Sequence, residues 1–96
     1  MNHSLPVILD FISLAYKMPV DEVLSESRNY PVVKARGMMI LLAGKKRDGQ
    51  IAKVFGQSRT NIVNNRRNFL GNMESDKGLQ NEFRSLQRGL IYYEIL

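Results

Sequence analysis

The stretch Gln50-Ile-Ala-Lys-Val-Phe-Gly-Gln-Ser-Arg-Thr-Asn-Ile-Val-Asn-Asn-Arg-Arg67 decides how this chain reads. Two helices that cross steeply need a small residue at the contact, and Ala52 supplies it in the first segment. The turn between them needs a residue tolerant of positive φ four positions later, where Gly56 stands. The second helix must return an apolar side chain to the first, and Ile62 falls at that place, with Ile51 and Phe55 completing the first helix's inner face. Ser58 is suited to cap the second helix, because its hydroxyl can accept from a free first-turn N–H. The expectation is a helix-turn-helix over about 48–72.

Outward from this stretch the pattern stays helical. Ser4-Leu5-Pro6 is a helix start, and Val7, Ile8, Phe11, Leu14 and Ala15 follow at three- and four-residue spacing. Pro19 ends or restarts that helix, Val20 to Leu24 makes a short turn of helix, and 25–31 reads as a loop holding Arg28, Asn29 and Tyr30. Pro31 opens a third helix to about Ala43, with Val33, Met38, Ile40, Leu41 and Leu42 expected in the core. Gly44 is a natural C-cap, the basic corner Lys45-Lys46-Arg47 follows, and Asp48 is expected to cap the short helix after it. A C-terminal helical extension over about 75–94 repeats Leu79, Phe83, Leu86 and Leu90 at helical spacing. No segment alternates long enough to build a sheet. The fold class is therefore all-α, a single domain over 1–96 with about six helices.

The function classes are bounded by composition. Lys and Arg outnumber Asp and Glu by 14 to 9, which favours a polyanionic partner. There is no cysteine, so no thiolate metal site can be assembled, and the one histidine, His3, stands near the N-terminal end, so a His-dependent triad is not expected. No enzyme activity, cofactor, metal or small-molecule substrate is expected. The longest apolar run, Met38 to Ala43, is far below membrane-spanning length, and no secretory leader is read at the N-terminus. A cytoplasmic, nucleoid-associated protein is expected.

The second helix of the opening stretch carries Arg59, Thr60, Asn61, Asn64, Asn65, Arg67 and Asn68. Asn can pair bidentately with adenine and Arg with guanine, while Thr can touch a base edge or the thymine methyl. The helix N-terminus also favours a phosphate, which makes Ser58 a candidate phosphate contact. Asn is a mediocre helix former, so four of them on one short helix (Asn61, Asn64, Asn65 and Asn68) call for a reason beyond folding. The reading is sequence-selective binding of double-stranded DNA, with base contacts from Arg59, Thr60, Asn61 and Asn64, and Arg67 on phosphate. The alternative is a protein–protein interaction module that uses the same Asn/Arg face.

The order of the pieces resembles the C-terminal DNA-binding domain of the bacterial replication initiator DnaA, a Trp-repressor-like helical fold. The resemblance is carried by Met18-Pro-Val-Asp-Glu-Val-Leu-Ser-Glu-Ser-Arg28, by the basic helix start Val32-Val33-Lys34-Ala35-Arg36, and by Ile51-Ala52-Lys53-Val54-Phe55-Gly56. It covers residues 6 to about 72. The resemblance implies a minor-groove role for Arg28, and phosphate contacts from Arg36, Lys45 and Lys46; Lys34, at the same basic helix start, is a further candidate phosphate contact. It also implies a place in replication initiation or transcriptional regulation. The family's Gly-Gly-Arg-Asp-His-Thr-Thr signature is replaced here by Gly56-Gln-Ser-Arg-Thr-Asn-Ile62. That departure falls on the reading face, so a different DNA word is expected. The initiator's phosphate-binding loop has no counterpart, so the chain is expected to be a stand-alone or excised relative. Its tail, ending Leu90-Ile-Tyr-Tyr-Glu-Ile-Leu96, is apolar enough to pack on the domain or to pair two copies as a homodimer.

Overall fold

A computed structural model describes residues 3–95. It contains six α-helices, α1 (Leu5–Tyr16), α2 (Val20–Val23), α3 (Tyr30–Ala43), α4 (Asp48–Phe55), α5 (Arg59–Glu74) and α6 (Lys77–Ile95), with a 3-10 turn over Lys45–Arg47. No strand occurs among the described residues. The fold is all-α.

Local chemistry sets most of the boundaries. Ser4 Oγ accepts from the Val7 N–H at 3.3 Å, with Pro6 in the first turn, where its missing N–H costs nothing. Lys17 ends α1 in the left-handed conformation, at φ 54°. Pro19 then stands as N-cap of α2. Asp76 Oδ1 accepts from the Leu79 N–H at 3.0 Å, so α6 begins at Lys77 and not at Ser75. α3 begins one residue before Pro31, which keeps the proline inside the first turn.

α3 is the central element. Val32, Ala35, Met38, Met39 and Ile40 are all buried and cover more than half of the helix circumference, so α3 packs against several neighbours at once. α1, α2 and α5 pack on it directly, α4 packs on α5, and α6 spans α5 and α1. Gly37 permits α5 to approach α3 closely. A Cβ there would lie 2.5 Å from the Phe69 ring, so the ring rests on the bare backbone of α3. Across the molecule, Glu82 of α6 accepts from Tyr16 of α1 and pairs with Lys34 of α3 at 3.1 Å. Burial and the Glu82 hydrogen bond hold the Tyr16 phenol well above its ordinary pKa.

Two expectations are corrected. The buried stripe of α1 is Leu5, Ile8, Leu9 and Ile12, while Leu14 is 65% exposed and Ala15 is exposed too. Both stripes have helical spacing, and packing against α3 selects the one that starts at Leu5. Val7 and Phe11 are left half-buried at its edge, Phe11 against Tyr93 of α6. Asp48 is the first residue of α4 and makes no cap; its carboxylate is buried and turned to Arg66 of α5. A guanidinium inside the fold attracts the carboxylate more strongly than a solvated helix end does. The C-terminal tail packs on the domain through Leu79, Leu86 and Leu90 and leaves Ile91, Tyr92 and Ile95 exposed.

Candidate nucleic-acid interface

α4 and α5 are joined by the short turn 56–58. Gly56 sits at φ 66°, ψ 32°, as the sequence required, and the Gln57 N–H donates to the Ala52 carbonyl at 2.9 Å to close α4. Ala52, Ile51, Phe55 and Ile62 are all buried, and the two helices that carry them pack on one another. Ser58 Oγ accepts from the Asn61 N–H at 3.1 Å and fixes where α5 begins. The Ser58 hydroxyl thus has an intramolecular task alongside any it has toward an anion.

α5 buries one stripe, Ile62, Arg66, Phe69 and Met73. Everything else that is polar on it turns away from the core. Arg59, Thr60, Asn61, Asn64, Arg67 and Asn68 are exposed, and Asn65 is half-buried. None of these side chains has a hydrogen-bond or ion-pair partner among the described residues. They do not form one face, however. At 100° per residue, Asn61, Asn65, Asn68 and Asn72 follow one flank of α5, whereas Thr60, Asn64 and Arg67 point outward and Arg59 lies on the opposite shoulder.

Arg28 is brought to this region by the loop before α3. Arg36 donates to the Ser25 carbonyl and, at 2.9 Å, to the Ser27 carbonyl, and the Asn29 N–H donates to Ser27 Oγ at 3.2 Å. The loop is pinned, and Arg28, exposed on it, lines one cavity together with Asn61 and Asn64. Burial lowers the Arg36 pKa from its ordinary value, and two carbonyls occupy its guanidinium. In this structure Arg36 therefore positions the loop. Lys34 is turned elsewhere: it pairs with Glu82 and lies 5.6 Å from the Tyr16 ring centroid and 5.8 Å from that of Tyr30. Lys34 is not brought to the exposed face of α5. Lys45 and Lys46 are exposed on the 3-10 turn.

Arg66, which is not among the residues expected to act, organises the region. Its guanidinium donates to the Ile40 carbonyl at 3.0 Å, to the Gly44 carbonyl at 3.3 Å and to the Asp48 carboxylate. It thereby ties the end of α3, the basic turn and the start of α4 to the middle of α5. The spacing Ile62-Arg66-Phe69-Met73 was the available signal, since it sets Arg66 on the apolar stripe and Arg67 off it.

Among the described residues there is no cluster of three or more His, Cys, Asp or Glu suited to a metal ion, and no helix is long and apolar enough to cross a membrane. Comparison of the chain with protein-family models, curated proteins and solved structures gives no match, so its likeness to the replication initiator's domain rests on the quoted residues alone.

Proposed function

We propose that the chain binds double-stranded DNA, with α4, the turn at Gly56 and α5 acting as a helix-turn-helix that seats the start of α5 in the major groove. One observation carries this reading. The N-terminal half of α5 presents Arg59, Thr60, Asn61 and Asn64 to solvent with no partner in the protein, on a helix whose start is fixed by the Ser58 cap. Helix starts of this geometry present side chains to base edges in the major groove, where Arg and Asn discriminate guanine and adenine. Arg28 lines one cavity with Asn61, which supports a contact from it to the flanking minor groove or backbone. Lys45, Lys46 and Arg67 supply phosphate contacts that fix register without reading sequence.

Selection of bound duplexes from a random pool tests the proposal. The expected result is an enriched word whose complex weakens when Arg59 or Asn61 is replaced by Ala. Equal and salt-independent affinity for selected and random duplexes would refute it. A role in replication initiation or transcription, and a place at the nucleoid, belong to the same proposal and follow from the likeness of 18–36 and 51–56 to the initiator's domain.

A further inference from the structure

The asparagine flank of α5, exposed at Asn61, Asn68 and Asn72 and half-buried at Asn65, borders a groove and forms one of its walls. Three adjoining cavities, of about 490, 180 and 470 Å³, follow one another along α5 on the side of α3. Val33 lines all three, Asn65 lines the first and second, and Asn72 the second and third. The floor is apolar, made of Val33, Gly37, Ile40 and Phe69. The wall is the amide row Asn61, Asn65, Asn68 and Asn72, at successive spacings of four, three and four residues. No side chain of this row has a hydrogen-bond partner among the described residues. Each costs helix stability relative to a better helix former, and nothing in the fold recovers that cost.

We infer that this groove is a binding site for an extended, largely uncharged polypeptide strand. A primary amide offers two donors and one carbonyl acceptor on a short stem, so it complements the N–H and C=O of a peptide unit whatever the side chain. The row from Asn61 to Asn72 spans about 16 Å at 1.5 Å per residue, the length of about five residues of extended chain. The central cavity, floored by Phe69 and Val33, takes an apolar side chain of the strand. Charge argues against a polyphosphate strand in the same groove. Arg28, Arg36 and Lys77 are nearly offset by Glu26 and Asp76, and the Arg36 guanidinium is already held by two carbonyls. Asn65, Asn68 and Asn72 are also not among the groups assigned to DNA, so the two sites share only the Arg28–Asn61–Asn64 end.

The test is to pan a displayed random heptapeptide library against the full chain. An enriched peptide is then synthesised with a fluorescent label and its binding followed by anisotropy. The double variant Asn65→Ala/Asn68→Ala raises helix propensity, and a matching circular dichroism melt checks that it folds. The expected result is a tenfold to hundredfold weaker peptide complex in the double variant, from the loss of two to four hydrogen bonds, with duplex affinity unchanged. Failure to enrich any peptide, or a peptide whose affinity the double variant retains, overturns the inference. So does binding of a labelled ten-residue oligothymidine that the double variant abolishes, since the groove would then take a nucleic-acid strand. A chain that binds the peptide in an Asn65/Asn68-dependent way and no duplex at all refutes the DNA reading and leaves the groove standing.

Discussion

Replacing Arg66 by Met will remove a large fraction of this protein's stability, although the change is conservative in volume and lies one position from an exposed arginine. Arg66 is 8% exposed and Asp48 is 6% exposed. Arg66→Met leaves the Asp48 carboxylate buried without a partner and strips donors from the Ile40 and Gly44 carbonyls. Breaking a buried pair from one side costs about 3–5 kcal/mol, chiefly because the surviving charge stays desolvated. A domain of this length has about 5–14 kcal/mol in total, so the melting temperature should fall on the order of 20 °C. Asp48→Asn should cost less, about 1–2 kcal/mol, because the guanidinium keeps its carbonyl acceptors and the amide oxygen still accepts. Arg66→Met combined with Asp48→Leu removes both charges and should be more stable than Arg66→Met alone. Urea denaturation of the wild type, Arg66→Met, Asp48→Leu and the double gives the cycle, with an expected coupling of about 2 kcal/mol or more. Strict additivity, or a loss below about 1 kcal/mol for Arg66→Met, would show that the staple between the basic turn and α5 does not hold the fold as described.

Four further outcomes are expected. Gly37→Ala drives a methyl into the Phe69 ring, 2.5 Å from the new carbon, and should cost about 1–3 kcal/mol in a thermal melt, with partial rescue by Phe69→Leu. Lys17→Gly relieves a side chain held at φ 54° and should raise stability by about 0.5–1 kcal/mol, read as a higher urea midpoint. The Tyr16 phenol keeps its proton in the folded state beyond the pH at which the unfolded chain releases it. Stability is therefore whole below about pH 10 and declines above it. Tyr16→Phe should flatten that alkaline decline in urea midpoints measured from pH 8 to 11. Lys45→Ala should weaken all duplexes alike and lower the slope of log affinity against log salt by about 0.9, whereas Asn61→Ala should change which duplexes are preferred. A Lys45→Ala variant with altered preference and an unchanged slope would contradict the division of labour.

The expectations that succeeded were those decided within one or two helical turns. Ser4, Gly44, Gly56 and Ser58 act on backbone groups three to five residues away, so they mark the limits of α1, α3, α4 and α5 without help from the rest of the chain. The α4–α5 contact through Ala52, Phe55 and Ile62 is legible for the same reason, since the turn brings these residues together with little chain between them.

What only the tertiary structure decided is which of two possible faces each helix buries. α1 carries two apolar stripes, and α3 selects the one at Leu5, Ile8, Leu9 and Ile12. Asp48 and Arg66 stand 18 positions apart, and each alone reads as a surface charge; their pairing exists because α3, α4 and α5 converge there. The asparagines are the same case. Sequence establishes that α5 carries more amides than a helix needs. The crossing of α3 and α5 at Gly37 and Phe69 turns Asn61, Asn65, Asn68 and Asn72 along a groove, while Arg59, Thr60 and Arg67 stay on the open side. A helix's own periodicity determines which residues share a flank, but only the helix packed beside it determines whether that flank meets core, groove or solvent.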